Sequence, residues 1–259
     1  MSDDKNAALS KPELARYARH IVLHDVGGAG QQKLKSARVL VIGAGGLGSP
    51  VLQYLAAAGV GTLGVVDDDV VSLSNLQRQI IHDTDTIGQL KTQSAANAIN
   101  RLNPHIKVQQ WPIRLTPENA YAMLSLYDVV ADGSDNFDTR YLVADMCELL
   151  KIPLISAAVA QFDGSITTLK PFAENDKGQQ NPGLRDIYPV IPEEGTVPSC
   201  EIAGVMGTLT GMLGTMQAQE VIKEIIGFGE NLVGRLLLVD AKTMRFETIG
   251  YQRPAQSNG

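Results

Sequence analysis

The sequence predicts an α/β fold with a Rossmann-like, doubly wound sheet that is mostly parallel, has antiparallel C-terminal strands and carries helices on both faces. One observation is the stretch "VLVIGAGGLG" from Val39 to Gly48, an apolar run that ends in glycines. Another is the regular alternation of strand and helix patterns up to about residue 158. After that point, "FDGSITTLKP" and "GRLLLVDAKTMRFETIGY" have the pattern of antiparallel strands, which predicts the change in sheet direction.

The N-terminal elements are bounded by glycine and proline. A proline near the first turn predicts a helix over Pro12–Leu23, which "GGAG" at 27–30 ends. The apolar run Val39–Ile42 predicts the first strand, and the small and apolar residues Gly46–Ala58 predict the helix that follows it. "TLGVVDDD" at 62–69 predicts a second strand that runs into three acidic residues.

Strand and helix patterns continue to alternate in the middle of the chain. The predicted helices are Lys91–Asn100, Glu118–Leu124 and Asn136–Leu150, and the predicted strands are His105–Gln110, Tyr127–Ala131 and Pro153–Ala158. A long helix over Glu201–Ile226 separates the antiparallel strands. Residues 173–198 are polar and rich in proline and glycine, and a connection of this length is typical of a functional loop.

Composition restricts the class of protein. The chain has 259 residues, a net charge of −6 and only two cysteines, Cys147 and Cys200. The acidic balance disfavours nucleic acid and anionic membranes as partners. The polar N-terminus lacks a secretory pattern and the cysteines are few, so we expect a cytoplasmic protein. Ile202–Ala218 is uncharged, but its glycines share one helix face, which favours a buried helix over a membrane span.

The glycine-rich stretch predicts a nucleotide site. Gly43, Gly45 and Gly48 form a G-x-G-x-x-G pattern between a strand and a helix, with Gly46 inside it. Asp67 follows 24 residues after Gly43, at the end of the second strand. An acidic residue at this spacing reaches the ribose hydroxyls of a nucleotide whose phosphates lie at the helix N-terminus. The glycines alone fit either NAD or ATP.

Charged residues beyond the second strand favour a triphosphate. A nicotinamide dinucleotide needs little positive charge, because backbone N–H groups and the helix dipole serve its two phosphates. Arg78 and Lys91 follow the second strand, where the chain passes the phosphate end of the site. Asp135 follows another strand at the carboxyl edge of the sheet, where a carboxylate suits Mg²⁺. Each residue alone could be an ordinary surface charge, and only their shared location favours ATP.

Longer motifs carry a family resemblance. "RYARHIVL", "VIGAGGLGSP", "YLAAAGVGTLGVVDDDVVSLSNLQRQ", "DGSDNFDTRY" and "VPSCEIAGVMG" resemble the bacterial MoeB/ThiF/HesA adenylyltransferases, relatives of the ubiquitin-activating enzymes. The resemblance extends from about Arg16 to Tyr251, and "SLSNLQRQ" together with the glycine loop is specific to that family. It implies ATP rather than NAD. It also implies an N-terminal helical arm over 1–36 and one adenylation domain over 37–259, with a nucleotide half at about 37–158 and a carrier-binding half at about 159–252.

The resemblance implies a reaction and a set of site residues. Family members use ATP to adenylylate the C-terminal glycine of a small ubiquitin-like sulfur carrier, and a sulfurtransferase or cysteine desulfurase later supplies sulfur. The implied partners are thus such a carrier and a second subunit of a homodimer, whose site Arg19 would enter. Asp135 would bind Mg²⁺. The implied nucleotide-binding residues are Gly43, Gly45, Gly46, Gly48, Asp67, Asp69, Ser74, Asn75, Leu76, Gln77, Arg78, Lys91, Asp135 and Asn136, and Arg19, Arg78, Lys91, Asp135 and Cys200 are the candidate catalytic residues.

The chain departs from the family at its cysteines. Many relatives bind a structural zinc with two C-x-x-C pairs, and two cysteines cannot supply four thiolates. Gly183 and Asp186 occupy the positions of the first pair, which predicts a branch of the family without zinc. Cys147 lies in a predicted helix and is expected in the core. Cys200 opens the glycine-rich helix, where a helix N-terminus lowers a thiol pKa, so a role in sulfur or acyl transfer stays open.

Three other functions compete with this interpretation. An NAD(P)-dependent oxidoreductase would use the same glycine loop. A relative that adenylylates a peptide or a tRNA-linked carboxylate would use the same ATP site, although the acidic pI of about 5.2 disfavours tRNA. A catalytically silent scaffold would bind the carrier alone, and the joint presence of Arg19, Arg78, Lys91 and Asp135 disfavours it.

Overall fold

The computed structural model describes residues 8–191 and 204–254. Eight strands form one sheet in the order β3-β2-β1-β4-β5-β6-β7-β8. The strands are β1 (Arg38–Ile42), β2 (Thr62–Val66), β3 (Lys107–Trp111), β4 (Val129–Asp132), β5 (Leu154–Ala160), β6 (Asp163–Leu169), β7 (Arg235–Asp240) and β8 (Arg245–Gly250).

Helices of very different lengths connect these strands. The α-helices in the described ranges are α1 (Lys11–Arg16), α2 (Ala18–Ile21), α3 (Gly27–Ser36), α4 (Gly48–Ala58), α5 (Lys91–Leu102), α6 (Pro117–Leu124), α7 (Phe137–Leu150), α8 (Leu184–Ile187) and α9 (Gly207–Ile226). The predicted start of the long helix at Glu201 lies outside the described residues. Over the described ranges, no helix combines the length and apolar character needed to cross a membrane.

The direction of the strands changes where the sequence predicts it. β1 pairs in parallel with β2 and with β4, β2 with β3, and β4 with β5. β5 to β8 pair in antiparallel fashion, starting with the register Leu154↔Leu169. The prediction of a mostly parallel sheet with antiparallel C-terminal strands is therefore confirmed. The strand order reverses between β1 and β4, which opens a crevice at the carboxyl ends of these two strands.

Apolar residues cover both faces of the sheet. Along β1, Val39 and Val41 belong to one buried cluster, while Leu40 and Ile42 belong to another on the opposite face. Helix α9 packs against the first cluster through side chains such as Leu213, which is fully buried. Alternate side chains of a strand point to opposite faces, so a run such as "RVLVI" requires helices on both sides.

The N-terminal elements differ from the prediction. The helix predicted over Pro12–Leu23 is divided into α1 and α2, and "GGAG" at 27–30 begins α3 instead of only ending the helix before it. Gly27 has a φ of +56°, a value that glycine adopts without strain. A Cβ on Gly30 would lie 3.1 Å from a side-chain methyl carbon of Ile226. Gly30 therefore lets α3 approach the C-terminal end of α9 closely.

Candidate active site

A cleft of about 580 Å³ lies at the carboxyl ends of the parallel strands. The glycine loop between β1 and α4 forms one wall, and the segments that follow β2, β4 and β5 form the others. This is the position in which open α/β sheets bind ligands. The predicted residues that line it are Gly43, Gly45, Gly46, Asp67, Asp69, Arg78, Lys91, Asp135 and Asn136.

Two positions of the glycine loop require glycine, one for its backbone conformation and one for its close packing. Gly43 has a φ of +86°, which an L side chain rarely adopts. A Cβ on Gly48 would lie 1.8 Å from the carbonyl oxygen of Gly43. Gly48 therefore contributes the close packing of the turn, and it does not line the cleft. Gly46 faces the cleft and packs against Thr210 of α9.

Asp67 fixes the glycine loop from the end of β2. Its Oδ2 accepts a hydrogen bond from the backbone N–H of Ala44 at 2.8 Å, and its Oδ1 accepts one from Asp69 at 3.0 Å. Burial raises the pKa of Asp67, and the charge of Lys91 partly offsets that effect. The carboxylate is thus held at the strand end, where a ribose hydroxyl would meet it.

Lys91 is a buried cation at the N-terminus of α5. It is 6% exposed, and its Nζ lies 2.8 Å from Asp69 Oδ2 and 4.0 Å from Asp67 Oδ1. A buried charge needs such partners, because its desolvation is costly. The ammonium group is therefore already placed at the cleft wall beside the acidic strand end.

The segment from Ser74 to Arg78 divides into buried and cleft-lining residues. Arg78 lines the cleft, and its guanidinium donates to the backbone oxygen of Ser74 at 3.0 Å. Ser74, Asn75, Leu76 and Gln77 are not among the cleft-lining residues of the described ranges. Asn75 is buried, and its side-chain oxygen accepts a hydrogen bond from Ser72. Their sequence-based assignment as nucleotide-binding residues stays a prediction.

Asp135 and Asn136 form the wall between β4 and α7. Both are exposed at the cleft, and the Asn136 amide lies 3.4 Å from an oxygen of Asp135. Asn136 also caps α7, because its Oδ1 accepts a hydrogen bond from the N–H of Thr139 at 2.9 Å. An exposed carboxylate at a cleft that also contains cations suits a hydrated Mg²⁺ ion bound to phosphate.

Among the described candidate catalytic residues, Arg19 lies apart from this cleft. Arg19 is exposed on α2, and neither lines the cleft nor forms a hydrogen bond or ion pair within the part of the chain that the structure describes. Cys200 lies outside the described residues. Cys147 is 2% exposed in the core, where burial raises its thiol pKa, in agreement with the expected structural role.

Comparison with protein families identifies the chain. The model of the ThiF family matches residues 17–258. The chain belongs to the ThiF family. The resemblance found in the sequence motifs is therefore confirmed over nearly the whole length.

Curated ThiF-family relatives share nearly half of the residues. The chain is 47% identical over 245 residues to a SAMP-activating enzyme E1 of Haloferax volcanii, covering 95% of this chain and 88% of the relative. It is 46% identical to a sulfur carrier protein adenylyltransferase of Thermus thermophilus, covering 94% and 89%. It is 48% identical to a probable adenylyltransferase/sulfurtransferase MoeZ of Mycobacterium tuberculosis, covering 94% of this chain but only 61% of the relative.

Solved structures share the fold. PaaA superposes with a TM-score of 0.79 at 22% identity, covering 98% of this chain and 79% of that protein. E. coli MccB also superposes with a TM-score of 0.79, at 20% identity, covering 99% and 74%. At such identities, the likeness supports the predicted fold class and nothing more specific.

The sequence interpretation did not single out two residues that the structure places next to the glycine loop, Gln79 at the cleft and His82 behind the loop. Gln79 lines the cleft, is 4% exposed and has a buried side-chain oxygen without a hydrogen-bond partner. His82 lies behind the glycine loop, with Nε2 2.9 Å from Ala44 O and Nδ1 2.8 Å from Ser94 Oγ. Burial lowers the pKa of His82, so the ring is neutral at pH 7 and its Nε2–H donates to the loop. "SLSNLQRQIIH" contains Gln79 and His82, but only the fold reveals that both face the glycine loop.

Proposed function

We propose that this chain is an adenylyltransferase that uses ATP to activate the C-terminal glycine of a small ubiquitin-like sulfur carrier. The observation that supports it is the meeting of the glycine loop, Asp67, Lys91, Arg78 and Asp135 in one cleft. A ribose-binding acid, two cations and an exposed carboxylate are the groups that a triphosphate requires. The names of relatives at 46–48% identity support the same activity.

The reaction needs no side-chain nucleophile. The carboxylate of the carrier is already an anion, and it attacks the α-phosphorus of ATP. The bond from the α-phosphorus to the bridging oxygen breaks, pyrophosphate leaves, and an acyl-adenylate remains. The barrier lies in bringing two anionic groups together, so the protein contributes positioning and charge neutralisation.

The cleft residues divide these tasks. Asp67 holds the ribose, and the backbone of the glycine loop lies against the α-phosphate at the start of α4. Lys91 and Arg78 neutralise charge on the β- and γ-phosphates, which grows as pyrophosphate leaves. Asp135 would hold Mg²⁺ beside Asn136, and the bound ion would supply further positive charge to the phosphates.

Two subunits would complete the site. Arg19 lies on a short helix outside the described cleft, exposed and without an ion-pair partner in the described ranges. We infer that the active unit is a homodimer in which Arg19 of one subunit reaches the outer phosphates in the other.

The carrier would be of the molybdopterin-synthase or thiamine-biosynthesis type, with a C-terminal Gly-Gly. A separate sulfurtransferase or cysteine desulfurase would supply sulfur to the adenylate. The low cysteine content favours a reducing compartment, the cytoplasm.

Exchange of labelled pyrophosphate into ATP tests the proposal. The purified protein should catalyse exchange only when a carrier ending in Gly-Gly is present, and intact mass should show the carrier increased by one AMP. The same carrier without its last glycine is the control and should give no exchange. Absence of exchange with carriers of both types, together with reduction of a substrate by NADH, would contradict the proposal. Carrier-independent exchange with a peptide or a tRNA-linked carboxylate would favour the competing adenylyltransferases.

Subunit mixing tests the shared site. Arg19→Ala and Asp135→Ala should each abolish exchange, because each removes a group that the outer phosphates or the metal require. A heterodimer of the two variants contains one intact site, so mixing with subunit exchange should restore part of the activity. Heterodimers that form without any recovery would show that Arg19 does not act in the partner's site.

A further inference from the structure

A buried ion pair lies beneath the loop that carries Asp135. Asp132 is the last residue of β4 and is fully buried, whereas the side chain of Arg140 in the first turns of α7 is 11% exposed. The shortest distance between their charged groups is 3.8 Å, from Arg140 Nε to Asp132 Oδ2. Arg140 also lines the cleft. The pair therefore connects the core of the sheet with the cleft wall.

The pair holds both backbone groups of Ser134. The N–H of Ser134 donates to Asp132 Oδ1 at 2.9 Å, and its carbonyl oxygen accepts a hydrogen bond from Arg140 Nη2 at 2.9 Å. Ser134 directly precedes Asp135. A residue held on both sides of its Cα has little freedom in φ and ψ, so the direction in which the next side chain leaves the loop is also fixed.

Side chains also connect β4 and β5 where the backbone pairing of these two strands ends. β4 pairs with β5 as far as Asp132↔Ser156, and the ladder ends there. Gln217 of α9 donates to the carbonyl oxygens of Asp132 at 2.8 Å and Ile155 at 2.9 Å. Arg140 Nη2 reaches Ala157 O at 3.4 Å as well as Ser134. Side chains thus join the end of β4 to β5 at the point where the loop with Asp135 departs.

Stability alone does not account for the pair. Asp132 Oδ2 and Arg140 Nε are buried and have no hydrogen-bond partner in the described structure. A buried pair with incomplete hydrogen bonding gains little over apolar side chains of similar volume, because desolvation offsets the attraction. Buried polar groups that are not fully satisfied call for a reason other than stability, and placement of a functional loop is one.

We propose that Asp132 and Arg140 are positioning residues that set the Asp135 carboxylate for the metal–nucleotide complex. The inference rests on the proposed function, in which Asp135 holds Mg²⁺. Neither residue needs to touch the metal, since their effect passes through the backbone of Ser134. Groups that orient a metal ligand commonly change metal affinity when they are replaced.

Nucleotide binding without turnover tests the inference. Calorimetry with a non-hydrolysable ATP analogue, alone and as its Mn²⁺ complex, separates the metal-dependent part of binding. We expect Arg140→Gln to weaken binding of the Mn²⁺ complex by roughly 10-fold and to change binding of the free analogue by less than about twofold. Asp132→Asn keeps an acceptor for the Ser134 N–H, and it should give a smaller loss confined to the Mn²⁺ complex. This milder variant serves if Arg140→Gln does not fold.

A double-mutant cycle decides whether the effect passes through Asp135. In an Asp135→Asn background, Arg140→Gln should change binding of the Mn²⁺ complex by less than about twofold, because coupled sites are not additive. Equal losses in both backgrounds, or equal weakening of the free analogue, would overturn the inference.

An ion pair between α7 and α8 provides a matched control. Arg185 forms a two-contact ion pair with Asp145 of α7 at 2.7 and 3.1 Å, away from the cleft. Arg185→Gln should leave binding of both forms of the analogue unchanged, and a loss equal to that of Arg140→Gln would overturn the inference. A wild-type protein that binds neither form would refute the proposed function itself.

Discussion

Two glycines of α9 provide a matched pair of substitutions. A Cβ on Gly211 would meet no atom within 4 Å, whereas a Cβ on Gly214 would lie 2.4 Å from Pro50 Cγ and 2.5 Å from Leu47 O. Ordinary van der Waals contact begins at 3.4 Å. Alanine at Gly214 would therefore force α9 and the N-terminus of α4 apart by about 1 Å, while alanine at Gly211 would cost no space.

The two variants should differ in the sign of their effect on stability. Alanine is more favourable than glycine inside a helix by about 0.5–1 kcal/mol, so Gly211→Ala should raise the free energy of unfolding by that amount. Gly214→Ala has the same helix gain, but overpacking costs about 1–3 kcal/mol and one of the clashing atoms is a backbone oxygen. We expect Gly214→Ala to lower the free energy of unfolding by about 1–2 kcal/mol.

The same substitution should impair the reaction, because Leu47 belongs to the glycine loop. A shift of about 1 Å in a binding loop can reduce a rate by as much as roughly 10²-fold, so pyrophosphate exchange by Gly214→Ala should fall roughly 10- to 100-fold. Gly211→Ala should keep the wild-type rate. Urea unfolding and exchange assays on both variants measure the two effects. If Gly214→Ala is as stable and as active as Gly211→Ala, the close approach of α9 does not constrain the glycine loop.

Four further predictions concern the cleft cations, Cys200, zinc and the pH dependence of stability. Lys91→Ala and Arg78→Ala should each slow pyrophosphate exchange by roughly 10²–10³-fold, about 3–4 kcal/mol, because both cations would stabilise the departing pyrophosphate. Cys200→Ala should stay within about threefold of wild type, and its inactivity in a folded protein would contradict the mechanism. Untagged protein should contain well under one zinc per chain by metal analysis, since two cysteines cannot provide four thiolates, and stoichiometric zinc would refute this. Burial raises the pKa of Glu13, but the hydrogen bonds from Lys35 and from the cap of α1 prevail and hold it at about 2, below its ordinary 4.5. This stabilisation is complete above about pH 4.5 and is lost as the pH falls through 2. Glu13→Gln should therefore be about 1–2 kcal/mol less stable at pH 7 and should match wild type near pH 2 by chemical denaturation. Equal stabilities at pH 7 would contradict it.

Local spacing predicted the part of the site that local structure determines. Gly43, Gly45 and Asp67 follow from one strand–turn–helix unit and the next strand, whose geometry fixes their separation in space. Lys91 and Asp135 could be placed because both follow strands of a parallel sheet, whose carboxyl ends share one edge. In this part of the molecule, the order of strands and helices along the sequence is enough to predict which residues lie at the cleft.

Contacts between distant segments could not be predicted in the same way. Arg140 lies in the quoted motif "DGSDNFDTRY", yet the positioning role proposed for it depends on the end of the pairing between β4 and β5 and on Gln217 of α9. The close packing of Gly30 in α3 depends likewise on Ile226, nearly 200 positions later. Glycine breaks helices on average, and only a packing partner reveals where it is needed inside one.

Tertiary contacts hold the corner around Gly183 and Asp186, the positions at which the family resemblance predicts that zinc-binding cysteines are replaced. The N–H of Gly183 donates to Asp186 Oδ2 at 2.7 Å, and Arg253 lies 3.3 Å from both Asp186 and Glu148. These ion pairs are partly exposed and contribute about 0–1 kcal/mol each. Leu184 is 5% exposed within the apolar cluster, and burial of such a side chain contributes about 1.5–3 kcal/mol. Burial of Leu184 therefore contributes more than the ion pairs to holding α8 in place. The ion pairs of Arg253 fix the direction in which the C-terminal segment passes α8.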